Sequence, residues 1–184
     1  MLEDYPKEII LADGVLLTLR PIRREDEDGL YRFFLSLPER ARRSLRHDVT
    51  DRRLIEKWCR ELNFEKALGL VAELDSVIVG SSTLFMQPYG WERHIGEIRI
   101  TIAPEFQQRG LGSLIVQEME KIASQRNVEK LMARFVSTRE SLISAFERQG
   151  FKQVAVLKNF VKAIHSDEYR DIVILVKELA TQPS

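Results

Sequence analysis

Residues 96–113, GEIRITIAPEFQQRGLGS, decide how this 184-residue chain is read. Ile98, Ile100 and Ile102 alternate with Glu97, Arg99 and Thr101, the period-two pattern of a strand with one apolar face. Pro104 stops that strand, because it has no amide to give to a ladder. The loop Gln107-Gln108-Arg109-Gly110-Leu111-Gly112 follows. Leu111, Leu114, Ile115, Met119 and Ile122 then recur at helical spacing, which predicts a helix to about Gln125. A loop of this kind is an anion cradle. The first amides of a helix are unpaired, the dipole is positive there, and glycine lets the backbone come close to a phosphate. Arg109 adds a charge expected to be mobile. No Gly-Lys-Ser/Thr follows, so this is not a Walker loop, and the first glycine of the dinucleotide fingerprint is missing.

Residues 7–11 and 15–20 are β-type runs around Ala12-Asp13-Gly14, a hairpin signal. Leu30, Phe33, Phe34 and Leu37 mark a helix ending at Pro38. Thr50 or Asp51 can cap a second helix carrying Leu54, Ile55, Trp58, Cys59 and Leu62. Strands over 68–74 and Val77–Met86 lead into the central stretch, and Lys130–Val136 reads as another strand. Ser137 and Glu140 have capping-box spacing for a late helix ending at Gly150. Residues 151–161 and 171–178 close the chain as an antiparallel pair. This order predicts a mixed α/β (α+β) sheet with helices on its faces, in a single domain over 1–184 with 1–14 as an N-terminal extension and the core at 15–179.

Composition excludes several function classes. Twenty-eight basic and 28 acidic side chains balance, leaving no global field for nucleic acid or an anionic membrane. Cys59 is the single cysteine, so no internal disulfide forms and a cysteine-based zinc site is not expected. Three histidines, at 47, 94 and 165, are too scattered for a metal site. No apolar run is long enough to cross a bilayer and no leader pattern opens the chain, so a cytoplasmic protein is expected. Arg40, Arg42, Arg43 and Arg46 are diluted by Glu39, Asp48 and Asp51 and read as a solvated face. Trp58 is expected in the core and Trp91 as a loop anchor. An exposed final strand could pair across a homodimer.

Pro104, Phe106, Gln107, Gly110 and Gly112, following an alternating strand, resemble the signature of the GNAT acetyltransferases. Val79-Gly80 and the late helix ending in Gly150-Phe151 extend the likeness. Glu97 and the opening 19–26 segment are similar to the Pat-like protein lysine acetyltransferases. The resemblance implies a mostly antiparallel twisted sheet, splayed between its two central strands, and acetyl-CoA as cosubstrate without a metal. Ile100, Thr101 and Ile102 would bond the pantetheine arm and acetyl carbonyl. Amides from Gln108 through Arg109, Gly110, Leu111 and Gly112 to Ser113 would hold the pyrophosphate, with Gln107 and Arg139, the latter replacing a frequent asparagine, also on the cofactor. The acceptor would be a primary amine, either a protein lysine or a small molecule.

Such an amine must lose a proton, since only about one lysine-type amine in ~10³ is neutral at pH 7. The resemblance makes Glu97 the general base; the alternative is a strand carboxylate paired with Arg99. Many relatives carry a tyrosine acid where this chain has Phe146, which leaves either a base-only reaction or an acid elsewhere, with Tyr169 and His165 as candidates. Glu92 and His94 are candidates for the acceptor entrance. Phe146 also suits a second reading, an acyl-CoA-binding regulatory module without turnover.

Overall fold

The computed structural model describes residues 2–162 and 167–180. Its strands are β1 (Lys7–Ile10), β2 (Leu16–Pro21), β3 (Ala67–Leu74), β4 (Val77–Met86), β5 (Ile95–Ile102), β6 (Lys130–Val136), β7 (Lys152–Lys162) and β8 (Tyr169–Glu178). Its helices are α1 (Glu27–Ser36), α2 (Glu39–Arg42), α3 (Arg52–Arg60), α4 (Leu111–Gln125) and α5 (Glu140–Glu147). The strands form one sheet in the order β1-β2-β3-β4-β5-β6-β8-β7. Every neighbour is antiparallel except β5 and β6. This is the mixed, mostly antiparallel fold expected.

The apolar periods set what each face buries. Ile98 is buried on the same side as Leu111, Ile115, Met119 and Ile122 of α4, with Ile100 and Ile102 packed against that cluster. Phe146 of α5 sits there too, edge-on to Phe135 and Phe151 at 4.9 Å each. On the other face α1 and α3 bury Leu30, Phe33, Phe34, Ile55 and Cys59. Asp51 caps α3 by accepting from the Arg53 amide, as expected.

Some local expectations change. The late helix starts at Glu140 with Arg139 as N-cap and no side-chain cap, so the Ser137–Glu140 box is not made. Trp91 does not anchor its loop: it is 87% exposed, beside Tyr89 at 85%. The final strand β8 is interior, and the sheet edges are β1 and β7. Arg40 to Arg46 is partly helical, and its last member reaches a distant strand, as described below.

A buried ion cluster fixes where α1 leaves the sheet. Arg20 of β2 donates to both Asp26 oxygens, at 2.8 and 2.7 Å, and to Glu73 of β3 at 2.9 Å. Asp26 also accepts from the Arg23 amide at 2.7 Å. Burial would raise the Asp26 pKa, but these donors outweigh it and hold the carboxyl below the usual range. Removing Arg20 strands two carboxylates. Arg20→Ala is therefore expected to cost about 3–5 kcal/mol in urea unfolding. Because Asp26 is depressed in the folded state, its contribution is complete above about pH 4 and is lost as pH falls further. An unfolding midpoint unchanged between wild type and Arg20→Ala would refute this account.

Candidate functional site

The site begins where β5 and β6 part. They pair in parallel at Ile95↔Lys130, Gly96↔Leu131 and Glu97↔Met132, and no further. A Cβ at Gly96 would lie 2.8 Å from Leu84 Cδ1 and 3.2 Å from Leu131 Cδ2, so a larger residue there would crowd the buried side chains packed over the pairing point. Beyond this point each strand stays bound on its outer side. β5 follows β4 to Gly80↔Ile102, and β6 follows β8 to Val136↔Ile172. The edge of β5 from Ile98 to Ile102 is thus left without a partner on its β6 side.

That opening widens into a cavity of about 980 Å³. Ser82, Ile100 and Thr101 form one wall, Arg134, Val136 and Arg139 another, and Phe34, Arg46, His47 and Trp58 close it from the helical side. Trp58 is therefore half-buried at a cavity wall rather than sealed in the core.

The Gln107–Gly112 loop sits at the end of the same strand. Gln108 and Gly110 have left-handed backbones, φ 59° and 92°. Gly110 is the N-cap of α4, and a Cβ at Gly112 would stand 3.3 Å from Ile102 Cδ1. Among the described residues the amides of 108–113 donate no hydrogen bond; Leu114 is the first to donate, to the Gly110 carbonyl. These free amides at the positive end of a 15-residue helix suit a pyrophosphate. Gln107 instead turns back, donating from Nε2 to the Ile102 carbonyl at 2.9 Å. The Leu111 side chain is buried in the core, so only its backbone belongs to the loop surface. The Arg109 side chain has partners. Its guanidinium is 2.5 Å from Asp13 and 3.0 Å from the Glu105 carbonyl, and its own carbonyl accepts from the Ala12 amide. The opening hairpin thus braces the loop.

Glu97 stands at the fork, in the last paired register of β5 and β6. Arg134 of β6 donates to both its oxygens at 3.1 and 2.7 Å, and Arg46 does so at 2.7 and 3.4 Å. Arg99 Nε is 3.5 Å away. Burial alone would raise the Glu97 pKa, but the bonds from Arg134 and Arg46 and the charge of Arg99 bring it down to about 2. The resemblance missed this clamp because Arg46 and Arg134 lie 51 and 37 residues away in sequence. His47 lines the same cavity, and burial, followed by the charges of Arg99 and Arg46, lowers its pKa. These influences bias the imidazole toward its neutral form.

The acid candidates do not gather here. Tyr169 is exposed, while Arg170 and Ile172, on the other face of β8, line the cavity. Phe146 is sealed in the core. Glu92 and His94 lie in the turn before β5, outside the cavity wall, and the His94 carbonyl accepts from Glu129 and Lys130. His165 lies outside the described residues. No group of three metal-ligating side chains forms among the described residues, and none of their helices is long and apolar enough to cross a membrane.

Known proteins agree with this geometry. The model of the Acetyltransferase (GNAT) family matches residues 30–151. The GNAT domain of S. lividans PAT superposes with a TM-score of 0.79 at 16% identity, covering 94% of this chain and 96% of that one. A ribosomal-protein-alanine N-acetyltransferase from Brucella melitensis gives 0.74 at 21% identity, over 88% and 99% of the two chains. An acetyltransferase from Salmonella typhimurium, solved with its cofactor acetyl-CoA, gives 0.74 at 16% identity over 91% and 96%. At these identities the neighbours establish the fold, and the family match establishes the membership: the chain belongs to the GNAT acetyltransferase family and is an acetyl-CoA-dependent N-acetyltransferase.

Proposed function

We infer that the enzyme acetylates a primary amine held in the cavity against β5, with the cosubstrate's pyrophosphate on the amides of residues 108–113. The observation that carries this reading is a run of undonated amides at the start of α4, next to a strand edge without a partner. Ile100, Thr101 and Ile102 lie on that edge and are suited to bond the uncharged arm and the acetyl carbonyl. Acetyl-CoA supplies an activated carbonyl on a thiolate leaving group. A thiol of pKa near ~8.5, by analogy with cysteine, leaves without an acid. That supports turnover despite the buried Phe146 and the outward Tyr169.

The amine's proton is the harder step. A carboxylate held at about 2 by two bidentate guanidiniums is a weak base, so the geometry favours Glu97 as the anchor of Arg46, Arg99 and Arg134. Those cations favour the neutral form of a nearby amine as they favour neutral His47. The proton then passes to water or to the imidazole. The acceptor implied by the Pat-like resemblance is a protein lysine; a cavity of about 980 Å³ favours a small amine instead.

Two measurements test these roles. In Gly110→Val a β-branched residue must adopt a left-handed backbone, at about 1–2 kcal/mol. The acetyl-CoA dissociation constant is expected to rise about tenfold by calorimetry, and unchanged affinity would remove the loop from the site. In Glu97→Gln, kcat/KM is expected to fall about tenfold while its rise from about pH 6 to 9 keeps its slope. A loss of about 10²–10⁴ with a flattened limb would instead make Glu97 the general base.

A further inference from the structure

We propose that the acceptor is a small primary amine bearing its own anion, a carboxylate or a phosphate, and that Arg99, Arg134 and Arg139 receive that anion. The proposal rests on the amine-acetylation reading above and names the class of substrate.

The charge inventory carries it. Arg46, Arg99, Arg134 and Arg139 line one cavity, and the carboxylate touching this group is Glu97. Four guanidiniums and one carboxylate leave an excess of three positive charges. The other cations at the cavity rim are matched: Arg43 with Glu39 at 2.6 Å, Lys57 with Glu61 at 3.8 Å, Lys162 with Asp167 at 3.3 Å and Arg170 with Glu168 at 3.1 Å. The excess therefore rests on Arg46, Arg99, Arg134 and Arg139, the group gathered around Glu97.

Glu97 cannot absorb it. A carboxylate offers about four lone-pair sites, and Arg46 and Arg134 fill them. Arg99 is left with a buried Nε that makes no hydrogen bond, its guanidinium stacked 4.0 Å over the Phe85 ring. Arg139 is half-buried and has no carboxylate partner among the described residues. Burial depresses the pKa of both; at Arg99 the Glu97 charge opposes it without overcoming it, and at Arg139 the charge of Arg40 adds to it. Arg99 keeps only a 3.5 Å ion pair with an already occupied Glu97, and Arg139 has no carboxylate partner among the described residues, so an incoming anion relieves both.

The cosubstrate does not account for these charges. None of residues 107–113 lines the cavity, so the pyrophosphate loop is a separate anion site. The arm between pyrophosphate and thioester is uncharged. A lysine ammonium or a polyamine would enter against the excess. An amine tethered to a carboxylate or phosphate is drawn in by its anion, and the same field strips its proton for attack.

The test is thiol release from acetyl-CoA with matched amines: 2-aminoethyl phosphate against ethanolamine, and β-alanine against β-alaninamide, beside spermidine and a lysine peptide. One or two charged hydrogen bonds correspond to a kcat/KM at least about tenfold higher for the anionic member of each pair. That advantage is expected to shrink as salt rises, and to shrink further in Arg99→Gln and Arg139→Gln. The salt dependence needs no variant, so it stands even where a substitution harms folding. Equal or better kcat/KM for the neutral amines, spermidine or the lysine peptide overturns the anionic class and leaves amine acetylation intact. If no amine releases thiol, the acetylation reading fails. Calorimetric titration of 2-aminoethyl phosphate into the CoA complex then judges the anion site alone: salt-sensitive binding supports it, and no binding overturns it.

Discussion

β5 and β6 run together for three residue pairs and then separate, and the site exists because of that separation. Each strand keeps a full ladder on its outer side, so the sheet loses no order by opening between them. The unpaired stretch of β5 is a backbone surface that wants partners, since exposed ladder groups inside a fold are costly when left unmet. The fork therefore yields a cavity and an edge for an extended ligand at one stroke.

The two ends of that edge are built differently. At the α4 end the loop offers backbone amides, made available by the left-handed turns at Gln108 and Gly110 and braced by the Arg109–Asp13 contact. At the fork the groups are side chains. Glu97 joins β5 to Arg134 of β6 and to Arg46 from the segment between α2 and α3, so it ties both arms of the fork to the helical layer. The donors that hold the carboxylate are also what lower its pKa against the effect of burial.

Phe146 and Arg139 fall into place in the same frame. Phe146 belongs to an aromatic trio with Phe135 and Phe151 behind β6, and its packing needs no hydroxyl. Arg139 stands at the head of α5 and lines the cavity, to which none of residues 107–113 contributes.

The sequence by itself determined the fold class, the order of the main elements, the two faces of β5 and the glycine turn that opens α4. Those depend on local quantities: the alternation of Ile98, Ile100 and Ile102, the stop at Pro104, and glycines where a positive φ is required. Only the tertiary structure decided what surrounds Glu97, which strand is the edge, that Arg109 has partners, and that Tyr169 faces outward. Charge pairing is a long-range property. Arg46 read as a solvated surface residue because its neighbours in sequence are polar, while its partner lies 51 residues away. The electrostatics of the cavity follow from which side chains the fork gathers, and no local pattern encodes that.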